Sequence, residues 1–403
     1  MKRIKRTDTQ KTLLTAALGA AAACGASAYE VHPLGTNMPP LDFHAFISQG
    51  YLKTTDYNYL ANDTKNGSFQ FTEIGANVSI NPFPRTRIAV QGFAFDVGNV
   101  GQYDPFLDYA LIEYTFSDQI GVRGGRIRRP SGIYNSIQDI DLARTFVLLP
   151  QGIYDARWRD WSAGLDGVDL FGSIQMNKAG SLSYEAYAGY VSMADNGGVA
   201  RYAENGLPPA PVGEFNGIDT APIFGGQLWW NTPVDGLRLG AAYAYMANWG
   251  YNSTIIPPYG PGHIHSVGNV PLQQYSAEYI YKSWTFQAEY YTYDFEGHNY
   301  LPAMGDYNIG TTGDNPETWY VAASHRFNHL LEVGTYYTMF KDASAKQNDA
   351  ALCFRFDLKD WWVFKVEGHY LEGTGLLRDN ANNPVQSNNN GWFMLAVKTT
   401  FSF

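Results

Sequence analysis

The chain has 403 residues, 16% of them charged, and its 28 Lys and Arg against 38 Asp and Glu give a formal net charge of −10. That balance excludes a nucleic-acid backbone as partner, because phosphate binding needs a basic face. Aromatic residues make up 15% (29 Tyr, 23 Phe, 10 Trp) and cysteine occurs only twice, a mixture that favours pleated strands and leaves no material for a disulfide framework.

The first residues, MKRIKRTDTQK, are basic; a short apolar run over 13–23 and the small residues Ala26, Ser27 and Ala28 follow. This is the pattern of a cleaved export signal covering 1–28, and the apolar run is too short to span a bilayer as a helix. Removing it takes five basic residues and one acidic one, leaving 23 Lys and Arg against 37 Asp and Glu, or −14, in a mature domain of 29–403. That domain keeps a single cysteine, Cys353, and contains no apolar run long enough for a membrane helix.

From Leu41 the sequence divides into segments of ten to thirteen residues with period-two alternation. One sets Gln70, Thr72, Ile74, Ala76, Val78 and Ile80 against Phe71, Glu73, Gly75, Asn77 and Ser79. The next sets Ile88, Val90, Gly92 and Ala94 against Arg87, Ala89, Gln91 and Phe93, and a third sets Ala110, Ile112, Tyr114 and Phe116 against Leu111, Glu113 and Thr115. In each, one face suits lipid and the other water. Later segments repeat the pattern, among them Leu237 to Tyr245, Gln273 to Tyr281 and Leu352 to Leu358 at alternate positions.

The connections alternate as well. Short turns are expected at 81–84, 117–118, 176–180, 231–236, 282–283, 328–329 and 359–360, interleaved with longer polar connections near 53–67, 97–105, 129–161, 193–221, 250–269, 296–316, 341–349 and 373–391. Seven short and eight long connections join sixteen strands. The chain is therefore expected to be all-β, a sixteen-stranded antiparallel transmembrane barrel with turns at one end and loops at the other. Trp229, Trp230, Tyr281, Trp284, Phe327, Trp361 and Trp362 flank the short turns, where an aromatic girdle would lie.

The chain ends WFMLAVKTTFSF, with Phe393, Leu395, Val397, Thr399, Phe401 and Phe403 on one face. Together with the export signal and the alternation, this end resembles that of the bacterial outer-membrane porins; the runs GRIRRPSGIYN and RTFVLLPQGIYD resemble poorly characterised porin-like proteins of proteobacteria. The resemblance implies a channel in the outer membrane of a Gram-negative cell, passing small hydrophilic solutes or ions by passive diffusion. It implies that Phe403 is read by the barrel-assembly machinery, that outer-membrane lipid surrounds the wall, and that a homotrimer is possible. It also implies that the third long connection folds into the lumen.

That connection is the most heavily charged stretch of the chain. The candidate constriction residues are Arg85, Arg87, Glu113 and Arg123 on the wall, with Asp139, Asp141, Arg144, Asp155, Arg157 and Arg159 in the connection. Closely spaced opposite charges set up a transverse field that orients dipolar solutes; the same charges would also serve as a salt-bridge network pinning the connection. The apolar block Phe146, Val147, Leu148, Leu149 is expected to hold it against the wall. Strict alternation from Ile120 would put Arg126 and Arg128 on the lipid face, so a bulge or a position beyond the membrane is expected there. The near parity of Arg and Asp predicts weak ion selectivity.

No phosphate-binding loop or dinucleotide fingerprint occurs, so no cofactor is expected. His263 and His265 lack a third ligand nearby and are expected to be a solvated loop pair rather than a metal site. His325 is the one histidine positioned for hydrolase chemistry, and no motif supplies its partners, so an enzyme is not expected. The alternatives are a solute-specific channel for anions or organic acids, and a closed barrel acting as a surface receptor or adhesin.

Overall fold

The computed structural model describes residues 29–31, 39–343, 345–377 and 391–403. The leader and most of the last long connection lie outside the described residues. Sixteen strands form the wall: β1 (Leu41–Thr54), β2 (Phe71–Phe83), β3 (Thr86–Val97), β4 (Phe106–Ser117), β5 (Ile120–Arg128), β6 (Gly164–Gln175), β7 (Ser181–Val191) and β8 (Ala221–Asn231). The second half comprises β9 (Leu237–Ile255), β10 (Gly262–Tyr281), β11 (Trp284–Tyr293), β12 (Glu317–Arg326), β13 (Leu331–Lys341), β14 (Lys346–Lys359), β15 (Trp362–Gly373) and β16 (Gly391–Ser402).

Each strand pairs antiparallel with the next, and β16 closes the ring on β1 from Phe46↔Ser402 to Thr54↔Met394. Closure satisfies the edge hydrogen bonds that an open sheet leaves bare. Phe403 completes the seam, exchanging backbone hydrogen bonds with Ala45 at 2.6 and 2.8 Å.

Burial follows the alternation, with the usual polarity reversed. Ile112, Val168, Leu228, Val321, Leu352 and Phe393 are exposed on one face, while their neighbours in the opposite parity, among them Asp169, Gln227, Tyr320 and Cys353, are buried. Lys365, Lys398 and Glu367 are fully buried on that second face. Near the short turns the aromatics stack on one another: Trp362 lies 5.4 Å from Phe401, and Trp284 lies 4.4 Å from His325.

All seven short turns fall at the expected places, but two long connections do not. The stretch 250–269 is mostly strand: β9 and β10 run 19 and 20 residues and pair up to Ile255↔Gly262. Polar residues there continue the ladder because a hairpin needs only cross-strand partners, and the breaking residues Pro257, Pro258 and Gly260 cluster at its tip. Likewise 341–349 shrinks to the residues between Lys341 and Lys346. The polar residues that suggested a loop, Gln347 and Asp349, are the buried-face half of β14, where Asp349 binds His369 and Tyr336. The connection before β12 holds its own hairpin, Phe295–Leu301 with Tyr307–Asp314.

Candidate functional site

The connection 129–163 between β5 and β6 is the centre of the charged network. It carries no long helix or strand, yet it is among the most buried parts of the chain: Arg129, Asp139, Asp141, Arg144, Arg157 and Arg159 are each at most 8% exposed, and Phe146 to Leu149 at most 2%. Buried charges are costly unless paired; each of these except Arg129 has an ionic partner, and the contacts fall into four groups and one further pair.

At the root, a register shift between β3 and β4 at Gln91/Gly92 leaves Asp108 without a cross-strand partner, and its carboxylate sits on the buried side. Arg128 reaches both Asp108 and Asp139, the latter at 2.5 Å. Arg159 donates to Asp108 at 2.6 Å, and Gln91 bridges Asp108 and Asp139 at 2.9 and 2.8 Å. Burial raises the Asp139 carboxyl, but Arg128 and Arg159 outweigh it and hold the group well below the carboxylate range. No register shift interrupts β5 against β6 between Gly121 and Arg128, so the expected bulge is absent there: Arg126 keeps the face of Val122 and pairs in register with Asp166 at 3.1 Å, while Arg128, the last residue of the strand, reaches into this cluster. Gly125, at φ +121 with Ala110 O 2.2 Å from where a Cβ would stand, permits the local twist.

The second group fixes Asp141. Lys365 of β15 donates to Asp141 O at 2.8 Å, Asp141 Oδ1 at 3.1 Å, Arg144 O at 2.7 Å and Phe146 O at 3.3 Å. Thr400 of β16 donates to Asp141 Oδ2 at 2.7 Å, and Lys398 approaches Oδ1 to 3.5 Å. Burial raises the Asp141 carboxyl, yet Lys365, Lys398 and Arg144 hold it far below its ordinary value.

In the third group Glu367 of β15 receives two backbone donors from the apolar block, Val147 N and Leu148 N, each at 2.9 Å, and His369 supports it at 3.0 Å. Arg355 of β14 donates to Arg144 O and Leu142 O at 3.0 and 2.8 Å. Phe146 packs edge-on against Tyr336 at 5.0 Å, so the block holds the connection to the wall as its composition suggests.

Glu289 of β11 organises the fourth. It accepts from Ile133 N at 2.9 Å, Tyr154 at 2.5 Å, Tyr320 at 2.9 Å, Ser276 at 2.6 Å and Gln274 at 3.1 Å. Gly132 fits beneath it because it adopts φ +62 where a Cβ would lie 2.0 Å from Gln274 Nε2. Further along, Asp155 binds Arg157 through two contacts of 3.1 Å, and Arg157 caps Leu376 O at 3.0 Å.

The candidate residues thus separate. Asp139, Asp141, Arg144, Asp155, Arg157 and Arg159 are gathered, all of them in pairs that consume their charge. Glu113 and Arg123 sit together on a different part of the wall, where Arg123 meets Asp169 at 3.0 Å, Glu185 at 3.2 Å and Glu113 at 3.8 Å and is 22% exposed. Arg85 and Arg87, also constriction candidates, are instead exposed at the β2–β3 turn, Arg85 bonding Phe116 O, whereas the root cluster meets β3 at Gln91, in mid-strand. Asp108, Glu289, Arg355, Lys365, Glu367 and Lys398 escaped the sequence reading. Lys365, Glu367 and His369 at alternate positions of one strand were the available signal.

His263 and His265 lie in β10 rather than in a loop, and His265 pairs with Asp219 at 2.8 Å. His325 packs tilted against Trp284 and edge-on against Phe327, its Nδ1 buried without a partner.

No protein-family model matches the chain, and no curated protein matches it by sequence. Solved structures do resemble it in fold. OmpF of Salmonella typhi in complex with daunomycin aligns at a TM-score of 0.54 and 12% identity over 93% of this chain and all of that one. The anion-selective porin of Comamonas acidovorans aligns at 0.52 and 9% identity over 90% of this chain and 99% of that one. In-vitro folded OmpT of Vibrio cholerae, in its trimer form, aligns at 0.51 and 11% identity over 90% and 99%. At this identity the likeness is one of fold: a closed sixteen-stranded antiparallel barrel.

Proposed function

We propose that the chain is an outer-membrane porin, exported with loss of residues 1–28, whose lumen is crossed by the connection 129–163 and passes small hydrophilic solutes and ions by diffusion through what that connection leaves open. The observation that carries this reading is the inverted burial. An exposed apolar face all round the ring suits hydrocarbon, and sixteen strands enclose more width than side chains alone fill. The bonds of this connection to buried-face side chains of β3, β4, β10, β11, β14, β15 and β16, strands drawn from both halves of the ring, support the reading. The connection's job is then to narrow the passage. The partly exposed charges left to meet a solute are Arg123, Glu113 and Glu185, with Asp169 buried beside Arg123, rather than the connection's own pairs.

Planar-bilayer recording on the purified full chain tests this. Ohmic steps smaller than an unobstructed barrel of this size would give are expected; a folded barrel with no steps at any voltage rejects diffusion. That second outcome would favour the closed barrel acting as receptor, a reading supported by how tightly Phe146 to Leu149 fill their site. A trimer is proposed from the fold likeness to the OmpT trimer form, and crosslinking in mild detergent that yields monomer alone would refute it.

A further inference from the structure

Beside the root of the connection lies a cavity of about 40 Å³ walled by Trp158, Trp161, Tyr291 and Phe340 and entered by Arg129 and Thr318. On the same measure a water needs roughly 10–15 Å³, so the space holds a few atoms and no more. Arg129 is 3% exposed and its Nε and Nη1 have no hydrogen-bond acceptor; Thr318 is 1% exposed and its Oγ1 has none either. No carboxylate among the described residues forms an ion pair with Arg129. Asp155 lines the cavity but is engaged by both contacts from Arg157, and the Tyr291 hydroxyl, which hydrogen-bonds Arg129, brings no negative charge, since a phenol is neutral at pH 7.

A guanidinium cannot shed its proton to escape burial, and an uncompensated buried charge is among the most destabilising features a fold can carry. Water in the cavity would accept the hydrogen bonds but leave the charge standing. A small anion would meet both needs at once, receiving Arg129 Nε, Arg129 Nη1 and Thr318 Oγ1. We propose that this cavity is a binding site for one small monovalent anion of halide or formate size. Arg129 and its surroundings also tie the two ends of the connection: Arg129 N donates to Ala163 O at 2.9 Å, and Asn135 Nδ2 bridges Arg129 O and Ser162 O at 2.8 Å each. Occupancy therefore braces the connection where it leaves and rejoins the wall.

The probe is bromide. Crystals of the full chain grown with bromide in place of chloride should show an anomalous peak within hydrogen-bond distance of Arg129 and Thr318, and thermal unfolding should shift upward with bromide against gluconate at constant ionic strength. Arg129→Gln should abolish that shift. Should this variant fail to fold, Thr318→Val, which removes one neutral donor, should raise the bromide concentration for half the shift by about tenfold. A cavity without a bromide peak, or a shift unchanged in Thr318→Val, overturns the proposal. None of these readouts uses conductance, so a barrel that proves not to conduct leaves the test intact.

Discussion

Replacing Lys365 with methionine should release the connection from the wall without opening the barrel. The ammonium is fully buried and serves four acceptors, all within 141–146, while the strand keeps its ladder to β14 and β16. Methionine fills nearly the same volume with no donor, so packing changes little, whereas Asp141 and three carbonyls lose their shared partner. Removing one member of a buried pair costs roughly 3–5 kcal/mol; at about 1.4 kcal/mol per decade, the docked-to-undocked ratio falls by two to three and a half orders of magnitude. Cys353 reports this directly. It is buried, its Sγ donates to Thr145 O at 3.4 Å beneath the connection, and it is the single cysteine after residue 28. Maleimide labelling of Cys353 in native protein should be slow and should accelerate at least a hundredfold in Lys365→Met, with unchanged far-ultraviolet dichroism and larger current steps. Lys398→Met is the control: its ammonium serves Glu73 at 2.6 Å and only approaches Asp141 at 3.5 Å, so the acceleration should be several-fold smaller. Labelling unchanged in Lys365→Met, with the barrel folded, would refute the pinning argument.

The docked connection should also depend on pH, in opposite directions on two limbs. Asp139 and Asp141 are held below their unfolded value near pH 4, so their contribution is present above about pH 4 and is lost as pH falls further. Burial pushes Asp160 up to about 7, so its contribution is full below about pH 4 and is lost as pH rises from there through 7; thermal midpoints should peak near pH 4, where the two limbs meet, and Asp160→Asn should flatten the fall toward neutral pH. Asp139→Asn combined with Asp141→Asn should raise conductance more than it alters permeability ratios, since both groups are spent on pairing; a pure shift in reversal potential would contradict that. Arg123→Gln leaves Asp169, Glu185 and Glu113 without their cation, a change of about 1 kcal/mol for a passing ion at contact distance, and should move the cation-to-anion permeability ratio up roughly fivefold, read as a reversal potential under a salt gradient.

The barrel was legible because its cause is local. Alternation tells which face each residue takes, and turn residues such as those at 176–180 tell where the chain reverses. Hence the strand count and the grip of Phe146 to Leu149 follow from short windows. Depth and partnership are not local. Nothing in the neighbourhood of Arg85 says that it stands exposed at a turn while the charged connection meets β3 at Gln91, in mid-strand, and nothing near Asp141 says that its partners are more than two hundred residues away at Lys365 and Thr400. The same limit explains the misjudged 341–349: Gln347 and Asp349 are polar because they face the charged interior, and polarity alone cannot separate a buried-face strand position from a loop.

Weak selectivity, expected from a near parity of Arg and Asp, needs a different foundation. Arg355, Lys365 and Lys398 stand opposite one another in register across β14, β15 and β16, an arrangement of like charges that a sheet normally avoids. It is tolerated because the connection arrives with the complement: carbonyls of Leu142, Arg144 and Phe146 and the carboxylate of Asp141. The wall's basic row and the connection's acceptors therefore cancel against each other at contact distance and contribute little field beyond that contact. Parity of the whole set says nothing about the passage, since the pairs are spent on docking. On the proposed channel reading, a solute would meet the residues the connection leaves partly exposed, foremost Arg123 with Glu113 and Glu185. Undocking would bare the basic row, so any event that frees the connection should change conductance and ion preference together, and in the anionic direction.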